Sequence, residues 1–266
     1  MSGTRTPSRL AATLAAWRDA VLDAAFPQTC PVTGQWLPGG ADRLAPTAAA
    51  ELAGLLATPY CPRCGRTARA ETLQDGACPG CRTERFWNVA AVVRLGPYEP
   101  PLRDLLLGMK FAGHERNARL LSAPLAERLA ALPTWSSVDA LVPVPMHPLR
   151  RAQRPCDHAV VLALLLGERL GVPVLQPLRR PRYRPSQSAA VSSAARFRNV
   201  RDCFAARPGV SVAGRTLCLV DNVMTSGATI CEVSRVLRAA GARRLLAAVC
   251  ARTTLRGAPQ PQVMWP

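Results

Sequence analysis

Leu217-Cys218-Leu219-Val220-Asp221-Asn222-Val223-Met224-Thr225-Ser226-Gly227-Ala228-Thr229 is the stretch on which the reading of this chain turns. Residues 215–221 form a short apolar run ending in an acid, as a central strand does. A short polar loop follows, and then a helix over 230–240 closed by Gly241. A strand, a polar loop and a helix in succession make a natural anion site, because loop amides and the helix N-terminus direct partial positive charge at one spot. Thr225, Ser226 and Thr229 add hydroxyl donors, and Gly227 lets the backbone approach a ligand closely. Asp221 falls at the carboxyl edge of the strand, where open α/β sheets bind ligands. An acid beside a phosphate cradle suits a sugar diol or a metal-bound sugar phosphate. The plainer alternative is a strand-to-helix turn in which Thr or Ser caps the helix.

Working outward, residues 89–95, 138–144 and 244–250 read as strands, and 101–111, 117–132 and 157–170 as helices. The helix over 157–170 stops before Gly171 and Pro173. Strands alternating with helices at this spacing predict an α/β fold with a mostly parallel central sheet. The 138–144 strand leads into a Pro-rich, basic loop. Residues 182–203, rich in Arg and Ser, are expected to be a mobile loop. Toward the N-terminus, Leu10, Leu14, Trp17, Val21 and Leu22 stand at helical spacing over 8–25. Residues 27–60 are rich in Pro, Gly and Ala, without clear chemistry.

The charge is strongly and unevenly positive. Of 266 residues, 34 are Lys or Arg and 17 are acidic, for a net +17. Residues 1–90 contribute +2 and residues 91–266 contribute +15; between Arg150 and Arg201 stand 11 Arg against Asp157 and Glu168 alone. Such a field favours a polyanion, whether nucleic acid, pyrophosphate or phosphorylated sugar. A solvated basic face is the other account. Every basic residue but Lys110 is Arg. Lys is a compact charge where Arg is a planar fork, so Lys110 marks either a position where a fork would not fit or a chance survival. Aromatics make up only 5%, which argues against a base-stacking surface of the RRM type. No apolar run reaches the ~18 residues of a membrane span. Residues 1–25 lack a secretory h-region and cleavage site, and Asp19 and Asp23 argue against a transit peptide, so a cytoplasmic location is expected.

Four of the ten cysteines form the array Cys61-Pro-Arg-Cys64 and Cys78-Pro-Gly-Cys81, with 13 residues between the pairs. Two such knuckles give four thiolates to one tetrahedral zinc ion, and Gly65 and Gly80 suit their sharp turns. Two disulfides are the alternative, which a reducing compartment disfavours. Cys218, Cys231 and Cys250 sit in apolar contexts and read as small core residues. Among the histidines, His147 falls in a loop expected to be functional, while His114 and His158 read as solvated surface residues.

Residues 220–229 resemble the PRPP (5-phosphoribosyl 1-pyrophosphate) signature of type I phosphoribosyltransferases. The wider pattern resembles the ComF/GntX family. It takes in the ribbon at 61–81, Met109-Lys110-Phe111 with Gly113, and Val142-Pro143-Val144-Pro145 with Arg150-Arg151. Gln187, Arg198-Asn199-Val200 and Phe204 complete it. The resemblance spans about residues 55–255. It implies residues 1–55 as an N-terminal helix and degenerate first ribbon, 56–88 as a four-cysteine zinc ribbon, and 89–258 as a phosphoribosyltransferase-like domain. Asp221, with Asn222, would hold the ribose hydroxyls of PRPP, directly or near Mg²⁺. Thr225, Ser226, Gly227, Ala228 and Thr229 would cradle the 5′-phosphate. The Val144–Arg151 loop, with Arg150 and Arg151, would face the pyrophosphate, Lys110 would sit at the family's Leu-Lys-Phe/Tyr position, and 182–200 would be a closing flap. Asp221, Lys110 and Arg151 are the implied catalytic set.

The chain departs from the family in three places. Asn222 stands where a second acid is usual. Arg151-Ala152-Gln153-Arg154-Pro155 replaces an Arg-Gly-Phe-Asn-Gln stretch. Cys30 faces Thr33 where a partner cysteine would stand, so a first ribbon would lack its metal. Two function classes follow. One is a Mg²⁺- and PRPP-dependent transfer of phosphoribosyl to an amine or nucleobase nitrogen. The other, implied by the family's association with DNA uptake in competent bacteria, is a non-catalytic accessory protein that binds single-stranded DNA or a helicase partner through its Arg cluster.

Overall fold

The computed structural model describes residues 28–37, 43–82, 88–112, 115–182 and 193–253. The helix expected over 8–25, together with Gly113, His114, Arg184, Gln187 and most of the expected flap, lies outside them. In chain order the elements are α1 (Pro46–Leu56), α2 (Pro79–Arg82), β1 (Ala91–Pro97), α3 (Leu102–Ala112), α4 (Glu115–Ala130), β2 (Ala140–Pro143) and α5 (Pro148–Ala152). They continue with α6 (His158–Leu170), β3 (Leu178–Arg179), α7 (Ser193–Val200), β4 (Ala205–Ala206), β5 (Thr216–Met224), α8 (Ala228–Ala239) and β6 (Arg244–Arg252).

Four strands form one parallel sheet in the order β1-β6-β5-β2, while β3 and β4 pair antiparallel in a separate ribbon. Parallel strands with helices on both faces have no solvent side, which is why their sequences run apolar without alternation. Along β5 and β6, Cys218, Val220, Leu246, Ala248 and Cys250 face one core layer with Leu105, Leu121, Leu125, Leu162 and Leu166 of α3, α4 and α6. Leu217, Leu219, Leu245, Ala247 and Val249 face the other, against Ile230, Val233 and Leu237 of α8. The expected placement of Cys218 and Cys250 as core residues is met, both being fully buried.

Local signals fix the element ends. Asp157 caps α6 by accepting the Val160 N–H, and Gly171, at φ +65°, closes it in the left-handed conformation that glycine adopts without penalty. The strand expected to stop at Asp221 runs three residues further, because its ladder with β6 continues through Met224↔Arg252. The expected 182–203 loop contains α7 in its second half. Ala-rich α1 rises from the stretch without clear chemistry.

The 61–81 segment packs directly on the sheet. Val92 N–H donates to Pro62 O at 2.8 Å. A Cβ on Gly65 would stand 3.0 Å from Val92 Cγ1 and 3.4 Å from both Arg252 Cδ and Met224 Cε. Gly65 therefore serves twice, at φ +72° in its turn and as the point of closest approach to the sheet.

Candidate functional site

Parallel strands deliver their following loops to one edge of the sheet, here the carboxyl ends of β2 and β5. A cavity of about 250 Å³ opens there, lined by Lys110, Arg150, Arg154, Asp157, His158, Arg180, Asp221, Asn222 and Thr229, with Val144–Met146 and Val223. Four cations thus face two carboxylates in one recess, an arrangement that draws anions. Each cation comes from a different turn of the fold: Lys110 from the last turn of α3, Arg150 from α5, Arg154 just beyond it, and Arg180 after β3. Arg154 is held in place by donating to Lys110 O at 2.9 Å and lies 4.2 Å from the centroid of the exposed Phe111 ring.

Asp221 is partly buried and accepts the Asn222 N–H at 2.7 Å. Burial pushes its carboxyl up to about 6; the Asn222 N–H and the charges of Lys110 and Arg180 oppose that rise. Burial likewise pulls Lys110 down from the usual ammonium value, and Asp221 pulls it back. Both line the cavity, and each favours the charged form of the other. His158 is 3% exposed, its Nδ1 lies 3.3 Å from Cys156 Sγ, and its buried Nε2 has no hydrogen-bond partner. Burial lowers its tendency to protonate. The buried Asn222 Oδ1 is likewise without a partner. A neutral imidazole and a neutral amide oxygen therefore accompany the charges.

The structure brings Lys110, Arg150, Asp221, Asn222 and Thr229 together. Arg151 lines a second, neighbouring cavity of about 190 Å³ with Pro143, Gln176, Leu178 and Arg207, away from Asp221. Thr225, Ser226, Gly227 and Ala228 form the turn beside the first cavity. Gly227 is the N-cap of α8 at φ +83°, and Ser226 Oγ accepts the Ala228 N–H at 3.4 Å. His147 is 7% exposed and caps α5 by accepting the Leu149 N–H at 3.2 Å. Sequence reasoning missed Arg154 and His158. Arg154 stands inside the segment already noted as altered. His158 follows the Asp157 cap of a strongly apolar helix, so it belonged to the helix end that points at the sheet edge, and its reading as a surface residue is corrected here.

The second candidate centre is the four-cysteine cluster. Cys61, Cys64, Cys78 and Cys81 are all buried, and their sulfurs lie within 4.8 Å of one another. The Cys61–Cys81, Cys64–Cys78 and Cys78–Cys81 Sγ separations are 3.6, 3.7 and 3.7 Å. A tetrahedron with Zn–S bonds of about 2.3 Å has edges of about 3.8 Å, so these residues fit a zinc ion. All four are free cysteines, at separations well beyond the roughly 2.05 Å of a disulfide. Cys61 Sγ also accepts the Cys78 N–H at 3.3 Å, the kind of bond that orients a thiolate ligand. Zinc here would tie the two knuckles into one unit.

No helix among the described residues is long and apolar enough to cross a membrane. No protein-family model matches the chain. The chain is 27% identical over 194 residues to Competence protein F of Haemophilus influenzae, covering 70% of this chain and 82% of that protein. It is 30% identical over 189 residues to the DNA utilization protein YhgH of Salmonella typhi, covering 68% and 79%. The Escherichia coli K12 protein of the same name is 30% identical over 186 residues, with the same coverage of 68% and 79%. In three dimensions the chain is similar to the glutamine PRPP amidotransferase from B. subtilis, at 24% identity and TM-score 0.33, over 50% of this chain and 25% of that one. It is also similar to an adenine phosphoribosyltransferase from Leishmania tarentolae, at 10% identity and TM-score 0.38, over 64% and 93%. Similarity at those scores is too loose to speak to function.

Proposed function

Given that the chain belongs to the ComF family, that of Competence protein F and the DNA utilization protein YhgH, we propose that the cavity above Asp221 binds PRPP. The observation that carries this reading is the meeting of Asp221 with Lys110, Arg150, Arg154 and Arg180 beside the Gly227 turn. A sugar bearing a phosphate at one end and a pyrophosphate at the other needs an anion cradle, an acceptor for its hydroxyls and a second cluster of cations. The 225–229 turn, Asp221 and the Arg150–Arg154 wall supply these in turn.

Asp221 accepts hydrogen bonds from the ribose hydroxyls, and Asn222 Oδ1 offers a neutral acceptor beside it. Arg150 and Arg154 face the pyrophosphate and stabilise charge as it develops on the leaving group. Lys110 neutralises Asp221 before ligand enters and turns to phosphate oxygen afterwards. Asp221 and Asp157 would be the carboxylates to hold a Mg²⁺ ion brought in with the substrate phosphates. Bound there, Mg²⁺ would add charge neutralisation at the departing pyrophosphate. Arg151, in the neighbouring cavity, supports the loop rather than the ligand. The activity this reading implies is transfer of the phosphoribosyl group to an amine or nucleobase nitrogen, with pyrophosphate as the leaving group.

Calorimetry with PRPP, with and without Mg²⁺, tests the reading on the unmodified protein and on Asp221→Ala. Mg²⁺-dependent binding that the variant loses is the expected result; no binding by the unmodified protein would overturn it. The names of the relatives favour a second reading, in which the Arg-rich 150–201 segment holds single-stranded DNA through its phosphates. That binding would weaken steeply with salt and would survive Asp221→Ala.

A further inference from the structure

Among the described residues, Arg94 and Arg252 are the two most deeply buried arginines, at 0% and 2% exposure. An ionised guanidinium removed from water is costly unless a counter-charge meets it. Among the described residues no carboxylate forms an ion pair with Arg94. Its Nη2 donates to Thr67 Oγ1 at 2.9 Å, and its plane lies over the Tyr60 ring at 5.2 Å. Its Nε and Nη1 are buried without a hydrogen-bond partner.

Both arginines stand where the sheet meets the knuckles. Arg94 lies on β1 two residues from Val92, whose N–H is taken by Pro62, and Thr67 and Tyr60 bracket the first knuckle. Arg252 ends β6, and its Cδ would lie 3.4 Å from a Cβ on Gly65. Cys64 is within electrostatic reach of both, Cys78 of Arg252 as well, and Tyr60 and the more distant carboxylate of Glu99 of Arg94. Arg128 also approaches, donating to Arg94 O at 2.6 Å, and Arg66 neighbours Arg252, but both of these are partly exposed and keep water.

A divalent ion held by four thiolates carries two net negative charges. We infer that Arg94 and Arg252 are the counter-cations of that metal tetrathiolate, so that the sheet, and not the knuckles alone, completes the metal site and suits it to a divalent ion. A monovalent ion in the same cage would leave three negative charges against these two cations, and the metal-free thiol form would take that negative charge away from both.

Neutralising either arginine with a side chain of similar length separates this role from simple packing. Arg94→Met and Arg252→Met should each weaken zinc binding by about 10- to 100-fold in competition with a chromophoric chelator. Arg94→Lys, which keeps the charge, should stay near the unmodified protein. The melting temperature of Arg94→Met should fall in the zinc-loaded protein and hold or rise in the zinc-stripped protein. Cobalt(II) titration should show the thiolate charge-transfer band saturating at higher metal in both Met variants. An unchanged zinc affinity, or an equal loss of melting temperature with and without zinc, overturns the inference. So does a metal-free unmodified protein. Should Arg94→Met fail to fold, Arg252→Met carries the same comparison.

Discussion

Cys30 Sγ accepts the backbone N–H of Ala45 at 3.3 Å, the same bond that Cys61 Sγ takes from Cys78. The likeness extends further. Cys30 N–H donates to Gln35 O and Gly34 N–H to Cys30 O, as Cys61 N–H does to Arg66 O and Gly65 N–H to Cys61 O. Gly34 and Gly65 share φ +72°, and Thr29↔Trp36 repeats the bridge Tyr60↔Thr67. The 28–37 turn thus keeps a knuckle's hydrogen bonds with Thr33 in the second ligand position. Burial raises the Cys30 thiol, but the Ala45 N–H and the Thr33 hydroxyl outweigh it and bring it to about 7. The sequence carries no cysteine between Cys30 and Cys61, so Thr33→Cys still leaves two sulfurs where a metal needs four. Metal analysis of Thr33→Cys should give one zinc per chain, as in the unmodified protein; two would show a second working site.

Asp221 should cost the protein stability at neutral pH. Its folded pKa of about 6 lies above the ordinary 3.8, so the folded state holds a proton that the unfolded chain has released. Stability therefore falls as pH rises from about 4 to about 6 and stays low above that window. Asp221→Asn should raise stability by about 1 to 3 kcal/mol at pH 7.5 and by little at pH 4. Denaturant melts at the two pH values check the sign. A variant less stable than the parent at pH 7.5 would mean that Lys110 and Arg180 more than repay the burial.

Ligand affinity should run the opposite way with pH. If the ionised Asp221 receives ribose hydroxyls, PRPP binding weakens below pH 6 as the carboxyl takes up its proton. Calorimetric affinities across pH 5 to 8 should show that loss in the unmodified protein, and Asp221→Asn should remove the dependence.

Gly227→Ala tests the turn. The residue sits at φ +83°, and forcing a Cβ into left-handed backbone costs roughly 1 to 2 kcal/mol. The melting temperature should drop by a few degrees, and, if the turn amides form the proposed cradle, PRPP affinity should drop more than stability does. Equal affinity in the variant would remove the turn from the site.

The cation wall can be separated from general basicity. Arg154→Ala and Lys110→Met should each weaken binding of inorganic pyrophosphate, measured by calorimetry, while Arg169→Ala, on the far part of α6, should not. For single-stranded DNA, Arg179→Ala with Arg182→Ala should lower the slope of log affinity against log salt by about 1 for each phosphate no longer neutralised.

Much of this molecule is readable in its residues. The 217–229 stretch delivers a strand, a turn and a helix in the expected order, because its apolar run and its glycine act locally. The end of β5 escaped, because Asp221 and Asn222 read as a polar stop while a parallel ladder asks only for backbone groups. Helix α1 escaped because Ala favours helix strongly but leaves no periodic pattern. His158 and Arg154 escaped because their importance comes from which loops the sheet brings to one edge, a long-range fact. The burial of Arg94 escaped because β1 is an edge strand, where an arginine ordinarily keeps its head in water, and only the knuckle packed over it closes that edge.

The strand order has a consequence for synthesis. β1, the first strand of the sheet to leave the ribosome, pairs with β6, the last, through partners such as Ala91↔Leu246. For most of translation the nascent β1 has no strand beside it and would expose Val93 and Leu95. The knuckle at 61–67 is made earlier and already offers Pro62 O to Val92 N–H. A metal-loaded knuckle would hold β1 in place until its partner strand, made about 150 residues later, arrives beside it.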